Sequence, residues 1–357
     1  MVLMRRRTSF LICAAFLLLA VTSSGQRRKS SEFFRIFDNG RWGFIDRSGR
    51  IVIKPQFDAA WSSTEGLAAV LIGEKWGYVD VSGRMVIPVQ FDGPGEFSEG
   101  LAAVQVTDSS GRFMGNYGFI DKTGNLVIDA KFEAASDFSE GLAGVEINQK
   151  WGLIDKTGRL VMEPRYDWIQ PFSDGLALVI VSDKKRAPAL YSEPEFPMVG
   201  KYGFVNKLGM IVIEPKARWA DDFSGGLAPV KINDKYGYID KKGRTVINPR
   251  FDFADAFSEG LAVVRVGKKF GYINTRGKVV IGPAFDDAMY FNEGLAAIRI
   301  GPPFEGRYGY IDKTGRIVIK PQFEAALFFS GGLADVDIKG MSGYIDKTGK
   351  FVWKRAN

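Results

Sequence analysis

Two sets of carboxylates are the residues whose types and spacing suit chemistry. One set precedes a Gly-Leu-Ala motif: Glu65, Glu99, Glu140, Asp174, Glu259 and Glu293. The other opens a four-residue turn: Asp46, Asp80, Asp121, Asp155, Asp240, Asp312 and Asp346. Carboxyl groups held roughly 5–9 Å apart cleave glycosides, and rows of turn acids bind calcium. Every copy offers the same acid, however, which marks none of them out, and each turn acid lacks an acidic neighbour in sequence. Turn-forming and loop roles are the simpler accounts. Histidine is absent and cysteine occurs once, at Cys13. That excludes His-based triads, the commonest general base, and zinc sites built on His or Cys. No catalytic residue, metal or cofactor is expected.

A third set is aromatic: Trp42, Trp76, Tyr117, Trp151, Tyr202, Tyr236, Phe270 and Tyr308, each followed by glycine. Such a column suits sugar stacking. Free exchange of Trp, Tyr and Phe instead favours a packing spine, since aromatic rings dominate core energetics.

These residues are positioned by a repeat. Eight aromatic-Gly pairs, and a ninth copy headed by Ser342-Gly343, recur at a basic period of 34 residues. Such a period marks an array of stacked supersecondary units. From the glycine of each pair to the end of the next strand is always ten residues, as from Gly43 to Ile53. From there to the glycine of the acid-Gly-Leu-Ala motif is always thirteen, as from Ile53 to Gly66. Only the return interval varies. It is eleven in five copies, eighteen from Gly100 to Gly118, twenty-eight from Gly175 to Gly203 and fifteen from Gly294 to Gly309.

Each unit reads as short strands. Trp42–Asp46 and Arg50–Ile53 flank Asp46-Arg47-Ser48-Gly49, the composition of a type I turn closing on a left-handed residue. A third strand is Gly-Leu-Ala-Ala-Val-x-Val at 100–106 and its equivalents. The recurring Phe or Tyr of the crossover (Phe57, Phe91, Phe132, Tyr166, Phe251, Phe285, Phe323) is read as a short fourth, edge strand. The proline before it, as at Pro55 and Pro321, suits an edge or a kink because it cannot donate to a ladder. Leu101-Ala102-Ala103-Val104 is apolar on both faces, so sheets must stack face to face. The expected fold is all-β: tandem three- to four-stranded antiparallel meanders stacked as a β-propeller-like ring or arc, with a β-solenoid as the alternative. Nothing in the sequence marks strand exchange between the ends of the array, so a closed ring and an open arc both stand.

The run Lys150-Trp151-Gly152-Leu153-Ile154-Asp155-Lys156-Thr157-Gly158-Arg159-Leu160-Val161, followed by Phe172-Ser173-Asp174-Gly175-Leu176-Ala177, resembles the WG-repeat (KWG-repeat) family of bacterial proteins. The resemblance spans roughly residues 33–353. Asn206 and Asn274 depart at the turn Asp, Ser342 at the aromatic, and Gly225 and Gly331 at the acid. It implies an all-β domain used for binding or as a scaffold, with no shared reaction.

The N-terminus carries Arg5-Arg6-Arg7, an apolar run from Phe10 to Val21, then Thr22-Ser23-Ser24-Gly25. That reads as a secretory signal peptide over 1–25, too short to span a membrane comfortably. A linker over 26–32 and a single array of nine units over 33–357 follow. The formal charge of +7 loses the three signal arginines, leaving 45 of the 48 basic side chains against 41 acidic. That balance is too even to argue for nucleic acid.

Length variation at one locus points to one binding edge. The longest insertion carries Lys184, Lys185, Arg186, Leu190, Tyr191 and Phe196. The segments Thr107–Asn116 and Gly301–Arg307 are expected to project from the same edge. The expected function is an exported, non-enzymatic protein-binding or scaffold module. The alternative is a carbohydrate- or cell-wall-binding protein or a weak glycan-active enzyme, for which exposed coplanar rings in the aromatic column are the discriminating observation.

Overall fold

A computed structural model describes residues 33–107, 116–182 and 200–355, and in it the chain is all-β. Nine small antiparallel sheets form a ring, a nine-bladed β-propeller. Blade 2 shows the plan, with strands Ala59–Ala60, Leu67–Ile72, Lys75–Asp80 and Met85–Phe91 paired in chain order. The two-residue first strand forms one edge of the sheet, termed the inner edge, and the trailing strand forms the other.

Three blades have three strands: 34–57, 102–132 and 227–251. In two of them a single bridge stands where the first strand would be, Gly93 with Gln105 and Ala220 with Val230. In the second of these, Pro229 occupies the position of Ala69, and its carbonyl still accepts from Asp221 N at 3.1 Å as the Ala69 carbonyl accepts from Trp61 N at 2.9 Å.

The short fourth strand differs from its expected place. The trailing strand runs on through the proline to the aromatic, as in Ile51–Phe57, and the next two residues, Ala59–Ala60, already belong to the following blade. The proline is accommodated because the register slips there: Trp42 pairs with Phe57 and Phe44 with Ile53, leaving a bulge around Pro55. The same bulge explains the glycine after each aromatic. A side chain on Gly271 would meet the Ile281 carbonyl at 2.6 Å and the Pro283 nitrogen at 2.8 Å. Only hydrogen fits beneath that backbone.

The Leu-Ala-Ala-Val strands are dry on both faces: in blade 7, Leu261, Ala262, Val263 and Val264 are all buried. Trailing strands alternate instead, burying the isoleucine and terminal aromatic while Ile51, Val246 and Ile317 stay exposed. Each blade shares an apolar layer with the next, such as Phe119, Phe138, Ala143 and Val145 between blades 3 and 4.

The ring closes without strand exchange. Blade 1 uses only residues 34–57 and blade 9 only 325–354. Phe34, Ile36 and Ile45 pack with Leu333, Tyr344, Val352 and Trp353, and the Phe34 and Tyr344 rings lie 5.5 Å apart. The Asp46–Gly49 turn sits on Val352 of blade 9 as the Asp80–Gly83 turn sits on Ile53 of blade 1. A closed ring replaces both the open arc and the solenoid.

Candidate functional site

In an antiparallel meander successive connections alternate between faces, so the ring has two distinct faces. One carries the acid-Gly-Leu-Ala loops and the Asp-x-x-Gly turns. The other carries the crossovers and the connections of variable length. The flanks of all three long connections close the same hairpin in their blades. Val106 pairs with Asn116, Ser182 with Gly200 and Ile300 with Arg307. Lys184, Lys185, Arg186, Leu190, Tyr191 and Phe196 lie outside the described residues. The described flanks of all three insertions lie on the crossover face.

The acids on the turn face are held between blades. Glu99 adopts φ 55°, and its Oε2 accepts the Gly141 N–H of the next blade at 3.0 Å. Lys156, from the next blade's turn, reaches the same carboxylate at 3.1 Å and donates to the Glu99 carbonyl at 2.9 Å. The relationship repeats for Glu65 with Lys122, Glu140 with Lys207, Glu259 with Lys313 and Glu293 with Lys347. Asp174 accepts the Gly226 N–H at 2.7 Å. Burial pushes the Glu140 carboxyl upward, but the Lys207 ammonium and the Gly175 amide outweigh it, and the group titrates below the usual range.

This pairing was not anticipated from the sequence, although a signal existed. Between blades 6 and 7 the acid position is Gly225 and the cation position Thr275. The two partners vanish together. The serine before the acid adds a second bond, as Ser139 Oγ donates to the Phe172 carbonyl of the next blade at 2.7 Å.

The crossover face carries its own acids. Asp167 Oδ1 accepts from Lys150 Nζ at 2.7 Å, and its Oδ2 accepts the Ser182 N–H at 2.8 Å. Asp286 does the same for Lys269 and Gly301. Lys150 and Lys269 stand immediately before the aromatic-Gly pair, so that lysine ties its blade to the following crossover. The turn aspartates are saturated locally. Asp312 Oδ1 accepts from Thr314 N and Oγ1 and from Arg316 N, and these bonds, led by the Thr314 hydroxyl, hold its carboxyl down at about 2. Asn206 and Asn274 supply the same acceptor at their turns. Among the described residues no three or more carboxylates are arranged to hold a metal ion.

The aromatic column is not an open ladder. Trp151 and Tyr202 are each 3% exposed, and Trp42, Trp76, Tyr117, Tyr236, Phe270 and Tyr308 are half-buried. Neighbouring rings meet at an angle: Trp219 and Tyr236 at 72°, Phe253 and Phe270 at 66°. Cations cover the faces of several, with Arg35 over Trp42, Lys231 over Tyr236, Arg265 over Phe270 and Arg299 over Tyr308. This is packing geometry.

A ring of repeated three- and four-stranded blades, with the described flanks of its long connections on one face, defines a β-propeller of the repeat-built class. Eight matches to the WG containing repeat cover residues 42–76, 76–108, 117–151, 151–184, 202–236, 236–270, 270–301 and 308–341. The chain belongs to that family. No curated protein matches it in sequence. Among solved structures, the crystal structure of a eukaryotic initiation factor is similar, with a TM-score of 0.64 and 14% identity, over 92% of this chain and 96% of that one. Apo AztD from Citrobacter koseri gives a TM-score of 0.40 at 13% identity, over 91% and 94% of the two chains. At such identities the likeness concerns the fold alone.

Proposed function

We propose that this protein is an exported, non-enzymatic propeller that binds another protein through the long connections on its crossover face. The supporting observation is that the described flanks of all three insertions, Val106 with Asn116, Ser182 with Gly200 and Ile300 with Arg307, lie on that face. The repeated acids are committed to blade-to-blade bonds or, in the Asp-x-x-Gly turns, to bonds within the turn, which argues against a catalytic role for them. Export rests on the N-terminal pattern of basic, apolar and small residues. The half-buried, angled and cation-covered rings give no support to a glycan-binding reading.

Deleting residues 184–197 should leave the thermal midpoint intact while the partner captured by the full chain is lost. Undiminished capture of that same partner would overturn the reading. Mass spectrometry of the exported chain should place cleavage after Gly25.

A further inference from the structure

The blade 9 to blade 1 interface breaks the pairing rule in a way no other interface does. Arg47 holds the turn-cation position of blade 1, while the acid position of blade 9 is Gly331. The cation is kept and its carboxylate is missing. Arg47 makes no hydrogen bond or ion pair among the described residues. An open depression of about 420 Å³ lies there, lined by Arg47, Glu293, Gly331, Gly332, Leu333 and Asp346. Its two acids are already engaged. Glu293 accepts the Gly332 N–H at 3.0 Å and pairs with Lys347 at 3.1 Å. Asp346 Oδ1 accepts from Thr348 N and Oγ1 and from Lys350 N. The guanidinium is the one charge on the wall without a described partner.

We propose that this depression binds an external carboxylate, which takes the place filled elsewhere by the blade's own glutamate. The planar guanidinium suits that group because its N–H donors form a fork matching two carboxylate oxygens. The site lies on the turn face, opposite the insertions, so it stands independently of the function proposed above. Its ligand comes either from an acidic side chain of another protein or from a small free carboxylic acid.

The test titrates the full chain with acetate, succinate and the blocked peptide acetyl-Gly-Glu-Gly-amide, with the Gln peptide as control. At least one carboxylate probe should bind saturably while the control does not. Arg47→Ala should weaken binding at least about tenfold. Because Arg47 is exposed on a turn, its thermal midpoint should be unchanged. Gly331→Glu, which restores the repeat's own carboxylate, should abolish binding and raise the thermal midpoint. Binding by the peptide alone identifies a protein acid as the ligand, whereas binding by acetate or succinate identifies a small one. Absence of saturable binding by every probe, or binding that survives Arg47→Ala, would overturn the proposal.

Discussion

The Tyr344 hydroxyl donates to the Arg35 carbonyl at 2.9 Å, joining residues 309 apart in sequence. In other blades the equivalent tyrosine reaches an inner segment of the next blade. Tyr238 donates to the Asp255 carbonyl and Tyr310 to the Leu327 carbonyl, each 17 residues on. Blade 1 has no described inner strand, and Tyr344 bonds one strand further out. Arg35 corresponds to Ala69, whose carbonyl in blade 2 accepts from Trp61 N at 2.9 Å. The same tyrosine thus closes the ring with a different acceptor.

Removing that hydroxyl by Tyr344→Phe should cost about 1 kcal/mol, the worth of a neutral hydrogen bond. Tyr310→Phe should cost a similar amount. Denaturant midpoints measure both, and a shift in Tyr310→Phe without one in Tyr344→Phe would show that the closing bond contributes nothing.

The acid–lysine links between blades should register as coupling. A double-mutant cycle on Glu99 and Lys156 is expected to give about 0.5–1 kcal/mol, reduced in high salt. Gly225→Glu combined with Thr275→Lys should create coupling of the same sign where none exists. Additive single effects at Glu99 and Lys156 would contradict the assignment.

Two glycine classes should respond differently. Gly271→Ala places a methyl group against the Ile281 carbonyl and should cost at least about 2 kcal/mol. Gly294 has φ 86° with open space around it, so Gly294→Ala should cost only about 1 kcal/mol through backbone strain. Equal losses in urea melts would remove the distinction.

Stability should vary with pH through Asp335. Burial pushes its carboxyl up to about 7, Asp337 adds to the rise and Arg35 opposes it. The folded state therefore keeps a proton that the unfolded chain releases near its ordinary value of 3.8. Stability falls as pH rises from about 4 to about 7 and then levels off. Asp335→Asn should flatten that slope and gain at least about 1 kcal/mol at pH 8. Asp46 and Asp312 work in another window. Their carboxyls are held near 2, chiefly by the Ser48 and Thr314 hydroxyls, so their contribution is present above about pH 4 and lost as pH falls toward 2. Thermal midpoints of both chains between pH 2 and pH 9 decide the matter.

Much of the blade was legible because its determinants are local. Apolar runs such as Leu261–Val264 and turns such as Asp312–Gly315 announce themselves within a few residues. The boundary at Pro55–Phe57 was less legible, because a bulge lets a strand run through proline without losing its partner. Closure was invisible, since Tyr344 and Arg35 meet only once nine wedges have turned through the full circle. The blade-to-blade links were hidden for a related reason. Glu99 and Lys156 are 57 residues apart, and only the joint loss at Gly225 and Thr275 betrays their connection.

Every junction in the circle but one is also spanned by the polypeptide itself. The exception lies between blades 9 and 1, where, among the described residues, non-covalent contacts hold the edges together. A pulling force applied between residues 33 and 355 would load that junction most directly. Mechanically the protein is a clasped bracelet, and Tyr344, Arg35 and Val352 form its clasp.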